Sequence, residues 1–303
     1  MKRLTIYASS VVLLLLIVGA PSVAAERKFE KRFSVEAGGT ITISTDVGDV
    51  EITGTSSNEV SVVADIHGRQ RDVDEFDVSA WQSDKNVEVK GRSKRTRWFS
   101  WFDDSPEVKF HVMVPHEYSA HVNTSGGNIT VSSMKGRIDG ETSGGDLSIH
   151  DIEGAIKMET SGGNIFAEKL TGDLHMETSG GDIQILTIAG NVEVSTSGGN
   201  VKVSDVDGKI RAETSGGNIV VKAKNENKGI YAETSGGDID IVVPKNISAT
   251  IDASTTGGEV QCDLPVTMSG KFDESRIRGT VNGGGNSIRA FTSGGDVRIK
   301  TQD

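Results

Sequence analysis

The sequence predicts an all-β fold: a two-faced parallel β-solenoid (β-helix-like) of roughly 18-residue coils with an N-terminal β cap region. Three observations predict it. Thr-Ser-Gly-Gly recurs at Thr124, Thr142, Thr160, Thr178, Thr196 and Thr214, each 18 residues after the last. A chain that repeats at a short, fixed period stacks like units into a rod. Within each unit apolar residues alternate with polar ones, the signature of a strand with one buried face. Finally, glycines fall at fixed places between the alternating runs, where a chain has to turn.

Numbered from its Thr, each repeat carries apolar residues at positions six and eight, as in Ile129 and Val131, Leu147 and Ile149, Ile183 and Ile185, Val201 and Val203. Position fifteen is apolar again (Ile138, Ile156, Leu174, Val192, Ile210), and two residues on stand Met158, Met176, Val194 and Ala212. Each unit therefore holds two short strands, separated by Gly-Gly at one corner and by a single glycine (Gly136, Gly154, Gly172, Gly190, Gly208) at the other. Both corners are expected to need glycine for positive φ. Continuing the inward alternation brings the repeat Thr to the core face, with its hydroxyl bonded to a neighbouring coil, and turns the next Ser outward. The residues assigned to this turn and ladder are Thr124, Gly126, Gly127 and Asn128; Thr142, Gly144, Gly145 and Asp146; Thr160, Gly162, Gly163 and Asn164; and Thr178, Gly180, Gly181 and Asp182. Successive copies are expected to lie flat on one another, nine of them making a rod of roughly 45 Å at about 4.8 Å per coil. After Thr214 the rhythm loosens through Thr234, a Thr-Thr-Gly-Gly variant at Thr255 and a last copy at Thr292. No helix is expected after the first 25 residues, because Gly-Gly at this spacing breaks helical runs.

Three segments result. Residues 1–25 read as an export signal: Lys2 and Arg3, an apolar run from Val11 to Val18, and Val23-Ala24-Ala25 before the cleavage point. Residues 26–122 form an N-terminal β region, with a degenerate coil near 41–54 (Thr45 at position one, Asp49 at position five) and then longer strands that cap the stack. Residues 123–303 are the solenoid repeats, with an insertion near 263–285. The protein is expected to be exported (periplasmic, cell-surface or secreted) with no transmembrane span in the mature chain. Net charge is −11, and −13 once Lys2 and Arg3 are removed, which argues against nucleic acid as a partner. Cys262 is the one cysteine and occupies position eight of its unit, so it reads as a small buried hydrophobe. The oligomeric state does not follow from the sequence.

The opening Phe33-Ser34-Val35 through Gly38-Gly39-Thr40-Ile41, then Thr45 to Ile52, Val112-Met113-Val114-Pro115 and the reiterated Gly-Gly-Asn/Asp units carry a resemblance. The chain resembles the bacterial putative-adhesin family of exported β-strand-repeat proteins, a domain of unknown function. The resemblance covers nearly the whole mature chain. It implies a β-solenoid at the cell envelope and brings no catalytic residues.

Candidate sites are few. Arg95, Arg97, Trp98, Phe99, Trp101 and Phe102 lie in the least repeat-like stretch, where basic residues run into aromatics. That mixture suits a protein, a glycan or an envelope surface, or else a hairpin folded back over the cap. Position five carries Asn128, Asp146, Asn164, Asp182, Asn200, Asn218 and Asp238. Tandem Gly-Asp invites calcium, but most of these positions are neutral Asn, so corner hydrogen bonds and side-chain stacking explain them better and no cofactor is assigned. Glu141, Glu159, Glu177, Glu213 and Glu233 form a second ladder, relieved by Ser195 and partly compensated by Lys157, His175 and Arg211. His116-Glu117-Tyr118-Ser119-Ala120-His121 misses the zinc spacing H-E-x-x-H and lies in a β context, so no metal is assigned. No nucleophile elbow or phosphate loop occurs. The reading is a non-enzymatic binding or structural module. A carbohydrate-active β-helix enzyme is the alternative, predicting close carboxylates in the 263–285 insertion with Asp273 and Glu274; a calcium-ordered module is the second alternative.

Overall fold

The computed structural model describes residues 25–94, 106–225, 227–268 and 273–302. The expected export segment therefore lies, but for Ala25, outside the described residues. The chain begins with β1 (Ala25–Ser34), β2 (Gly39–Thr45), β3 (Asp49–Thr55), β4 (Glu59–Gly68), α1 (Gln70–Glu75), β5 (Phe76–Ser83), β6 (Asn86–Ser93) and β7 (Glu107–Pro115). The regular repeats follow as β8 (Tyr118–Thr124), β9 (Ile129–Lys135), β10 (Ile138–Thr142), β11 (Leu147–Glu153), β12 (Ile156–Thr160), β13 (Ile165–Thr171) and β14 (Leu174–Thr178). They continue as β15 (Ile183–Ala189), β16 (Val192–Thr196), β17 (Val201–Val206), β18 (Ile210–Thr214), β19 (Ile219–Ala223), β20 (Ile230–Thr234) and β21 (Ile239–Val243). The last strands are β22 (Ala249–Thr255), β23 (Val260–Cys262), β24 (Thr267–Met268), β25 (Arg276–Val281), β26 (Ser287–Thr292) and β27 (Val297–Thr301).

Two long sheets face each other, as the repeat requires. One runs β1-β4-β7-β3-β9-β11-β13-β15-β17-β19-β21-β27-β23 and the other β24-β25-β22-β26-β20-β18-β16-β14-β12-β10-β8-β2-β6-β5. Each coil gives one strand to each sheet, in parallel register: Leu147 lies opposite both Ile129 and Ile165, and Ile165 opposite Ile183. These rungs are buried, each 1 % exposed or less. The core is thus one continuous aliphatic column between the sheets.

The inward Thr and outward Ser stand as expected. Thr142, Thr160, Thr178, Thr196 and Thr214 are buried, and each hydroxyl donates to the carbonyl of the second corner glycine one coil back, at 2.8–2.9 Å. Each Oγ1 also accepts the N–H of its own second corner glycine, as Gly181 N–H does to Thr178 at 3.3 Å. Removing the hydroxyl leaves a buried carbonyl without its partner. Thr178→Val should lower stability by about 1–2 kcal/mol, read as a fall in the urea midpoint; an unchanged midpoint would mean the ladder is incidental.

Three expectations need correction. The first concerns why glycine occupies the Gly-Gly corner. Neither glycine of the repeat pairs from Gly126 to Gly217 takes positive φ. The second of each pair is required by close approach: a Cβ on Gly163 would stand 2.0 Å from the carbonyl oxygen of Gly145. Positive φ does apply at the single-glycine corner, for Gly154, Gly172 and Gly190. The same sign appears at five non-glycine residues of the repeats, Ser133, Asp151, Lys169, Thr187 and Asp205. That left-handed residue breaks the in-out alternation and turns Met134, Ile152, Leu170, Ile188 and Val206 into the core.

The second correction is a helix. Residues 70–75, Gln-Arg-Asp-Val-Asp-Glu, contain no glycine, so the argument against helix does not reach them. Arg71 pairs with Glu75 at 3.4 Å and Gln70 bonds Asp74 at 3.0 Å, both one turn apart, while Val73 is buried.

The third is stacking order. The last coil in sequence, β26 and β27, sits between the coil of β20 and β21 and the coil of β22 and β23. The threonine ladder follows spatial order through this swap: Thr292 donates to Gly237 at 2.8 Å, and Thr255 donates to Gly295 at 2.7 Å. Pro244 follows β21, and the chain steps over one open level to β22. Strand β25 then pairs antiparallel with β22, and the positive-φ turn at Gly283 and Gly284 returns the chain to the vacant level. Arg298 of β27 fixes the inserted coil to β21 by pairing with Asp238 at 2.9 Å, while Lys300 pairs with Asp240 at 2.9 Å. The amide of Asp296 and the Arg298 guanidinium hold the Asp238 carboxyl below the usual carboxylate range.

The opposite end is built alike. Strands β2 and β3 form the degenerate coil, with Thr45 opposite Thr124. They lie between the coil of β8 and β9 and an outer level made by β6 and β7, which the repeat pattern did not reveal. Beyond that level β4 and β1 continue one sheet antiparallel, and β5 the other.

Candidate functional site

The outer face of the sheet that contains β8 to β26 is shaped by two columns of side chains. Position sixteen contributes Asp139, Lys157, His175, Glu193, Arg211, Tyr231 and Arg289 in spatial order, and position eighteen contributes Glu141, Glu159, Glu177, Ser195, Glu213, Glu233 and Phe291. Alternation along each strand forces both columns outward, because Ile156, Met158 and their equivalents take the inner positions.

Two parallel tracks result. One runs beside the single-glycine corner from Arg137 on β10's approach to Arg289 on β26, enclosing about 750 Å³. Its floor is the edge of Ile156, Leu174, Val192, Ile210 and Ile230, each only 2–3 % exposed. Its walls hold six Lys or Arg side chains (Arg137, Lys157, Lys209, Arg211, Lys228, Arg289) against Asp173 and Glu193. The second track, about 560 Å³, follows the glutamate ladder and the Thr-Ser corner and contains five glutamates with no cation.

The ladder is compensated in part, as the sequence implied. Lys157 pairs with Glu159 at 2.8 Å, His175 with Glu177 at 3.1 Å, and Arg211 with Glu213 and, at 3.6 Å, Glu193. The Lys157 ammonium is accordingly held above its usual range, chiefly by its bond to Glu159. Tyr231 donates to Glu233, which pushes its phenol up to about 12 and keeps it a neutral donor.

Among the described residues one group could gather three metal-ligating atoms, Glu159, His175 and Glu177, within 4.8 Å. Lys157 already neutralises Glu159 in that group. The His116 and His121 pair is not brought together: His116 Nδ1 lies 2.7 Å from the Ser133 carbonyl, and His121 points outward from β8. At position five, each side-chain oxygen accepts the backbone N–H of the next coil, as in Asp182 N–H to Asn164 at 2.9 Å and Asn200 N–H to Asp182 at 2.7 Å. The ladder runs on through Asp296 and Glu259 at 2.9 and 3.0 Å. The corner bond is therefore between coils and not within one turn.

In the insertion, Asp273 accepts the N–H and hydroxyl of Ser275 at 2.9 and 2.8 Å, and Arg276 pairs with Asp252 at 3.3 Å. These side chains close a turn and join β25 to β22; residues 269–272 lie outside the described ones. Cys262 is half-buried against Ile299, and burial raises its thiol. The aromatic candidates Arg95, Arg97, Trp98, Phe99, Trp101 and Phe102 lie outside the described residues, in the segment that joins β6 to β7. The cationic track escaped sequence reasoning because Lys209, Lys228 and Arg289 come from three different coils, one of them displaced by the swap. Their adjacency depends on spatial order; the available signal was Tyr231, Arg289 and Phe291, which break the repeat.

No described helix is long and apolar enough to cross a membrane. The Toastrack DUF4097 family model matches residues 39–300. No curated protein matches the chain. Among solved structures, the chain is similar to a "putative adhesin" from Bacteroides fragilis at 14% identity, over 91% of this chain and 97% of that one, with a TM-score of 0.42. A "putative adhesin" from Parabacteroides merdae is similar at 14% identity over 90% and 96% of the two chains, with a TM-score of 0.40. A "putative lipid binding protein" from Parabacteroides distasonis is similar at 13% identity over 90% and 96%, with a TM-score of 0.35.

Proposed function

The chain belongs to the Toastrack DUF4097 family, and on that premise we propose that it is an exported, non-enzymatic module that works by contact at the cell envelope. The observation that supports this reading is the pair of open tracks, which present repeated side chains along many coils. Such faces suit several weak contacts made at once, where tethering multiplies modest affinities. In this reading the region up to about residue 122 caps one end of the rod and the insertion near 263–285 caps the other. The 95–102 segment contributes the anchoring aromatics, since Trp and Arg dominate contact energy where they are covered.

Retention of the mature chain on washed envelope fragments tests the reading. Wild type should be retained, and Trp98→Ala/Trp101→Ala should lower recovery about ten-fold. Equal recovery of both forms removes the aromatic segment from the account. A wild type that washes through removes the reading itself.

A further inference from the structure

We propose that the end of the cationic track nearest β26 binds an acidic sugar unit of a linear anionic polysaccharide. This rests on the contact reading above and names the ligand class of the same face. Here the repeat is broken locally. On three successive rungs the position-sixteen column reads Arg211, Tyr231, Arg289, so the tyrosine stands in register between two arginines. The Arg211 guanidinium carbon lies 4.4 Å from the centre of the Tyr231 ring. Phe291 meets that ring edge to face, with centroids 6.1 Å apart. Phe291 also ends the glutamate ladder, standing opposite Glu233 where another acid would continue it. Lys209 and Lys228 close the corner side of the same stretch.

The chemistry of this cluster is selective. Lys228 is paired with Asp207 and Arg211 with Glu193 and Glu213. Among the described residues no carboxylate pairs with Lys209 or Arg289, although both line the track. Two cations without partners, beside the Tyr231 ring, match a sugar ring that is apolar on its C–H face and carries one carboxylate. A guanidinium takes a carboxylate through two parallel hydrogen bonds. The track stays open along seven rungs of the sheet, about 29 Å at the rung spacing, so the ligand is a chain and not a single sugar. A pyranose unit advances such a chain by about one rung, which lets successive units meet successive coils.

The scarcity of stacking rings separates this ligand from nucleic acid. A single nucleic acid strand is held by stacking successive bases on aromatic faces, and Tyr231 is the one Phe, Tyr or Trp side chain among the residues that line the track. A uronic acid polymer needs no such series of rings and offers a carboxylate to each unpaired cation.

The test measures binding of the mature chain to polygalacturonate, dextran and oligo-dT at low and raised salt. Wild type should bind polygalacturonate, more weakly as salt rises, with dextran not bound and oligo-dT about ten-fold weaker. Lys209→Ala/Arg289→Ala should cost about ten-fold or more, and Tyr231→Ala should cost about five-fold, with unchanged melting in each case. Equal binding of dextran, equal binding of oligo-dT, unaltered affinity in the variants, or no binding of polygalacturonate would each overturn the proposal. Wild type that is retained on envelopes yet ignores polygalacturonate defeats this ligand assignment alone; wild type that does neither defeats the contact reading as well.

Discussion

Gly163→Ala is expected to destabilise the rod severely, while Gly162→Ala beside it leaves stability nearly unchanged. A Cβ on Gly163 would sit 2.0 Å from the Gly145 carbonyl oxygen and 2.4 Å from its carbon, both of them backbone of the neighbouring coil. Neither atom can move without breaking the register of the stack. The cost should be about 3 kcal/mol or more, the upper range for overpacking. A Cβ on Gly162 finds its nearest neighbours at 3.9 Å, an ordinary contact, so the change should stay within about 0.5 kcal/mol. Urea unfolding of both variants, followed by circular dichroism, gives the comparison. If the two melt alike, close packing of corners is not what fixes glycine there.

The contrast also shows what could be read from the sequence and what could not. The Thr-Ser-Gly-Gly period and the alternation at Ile129 and Val131 define the strands, their inward face and their register, because each depends on local residue type. Thr178 could be placed inside for the same reason. The role of the second glycine could not be read, since Gly162 and Gly163 look alike until the neighbouring coil is present. The bend at Lys169 and Thr187 was hidden because neither residue favours positive φ; burial of Leu170 and Ile188 on the next position holds it in place. The helix at 70–75 lies in a segment without glycine, where the Gly-Gly spacing has no bearing on backbone preference. The site was legible only in part. Compensation of Glu159 by Lys157 follows from their spacing, whereas Arg289 beside Tyr231 requires the last coil to be inserted out of order.

That insertion makes the second large prediction, a cross-link that is all or none. Cys262 lies directly opposite Ile299 across neighbouring parallel strands. Ile241 lies opposite Ile299 from the other side, so it is two rungs from Cys262, about 9.6 Å. A disulfide spans Cα atoms no more than about 7 Å apart. Under a mild oxidant Ile299→Cys should therefore close a bond to Cys262 within one chain, and Ile241→Cys should not, as intact mass and mobility on non-reducing gels will show. Coils stacked in chain order would place β23 directly on β21, and Ile241→Cys would then cross-link readily. The outcome bears on how the rod ends. A terminal parallel strand with an open edge invites further chains to add to it. Here β27 is enclosed by β21 and β23 and β22 is covered by antiparallel β25, while the edge strand β23 is only Val260–Cys262, with the Val260 N–H bonded to the Glu274 carbonyl at 2.9 Å. The same device encloses β2 and β3 beneath β6 and β7 at the other end. Separating β27 must therefore break pairs on both sides of it at once, and the coil latest in sequence is held as an inner one.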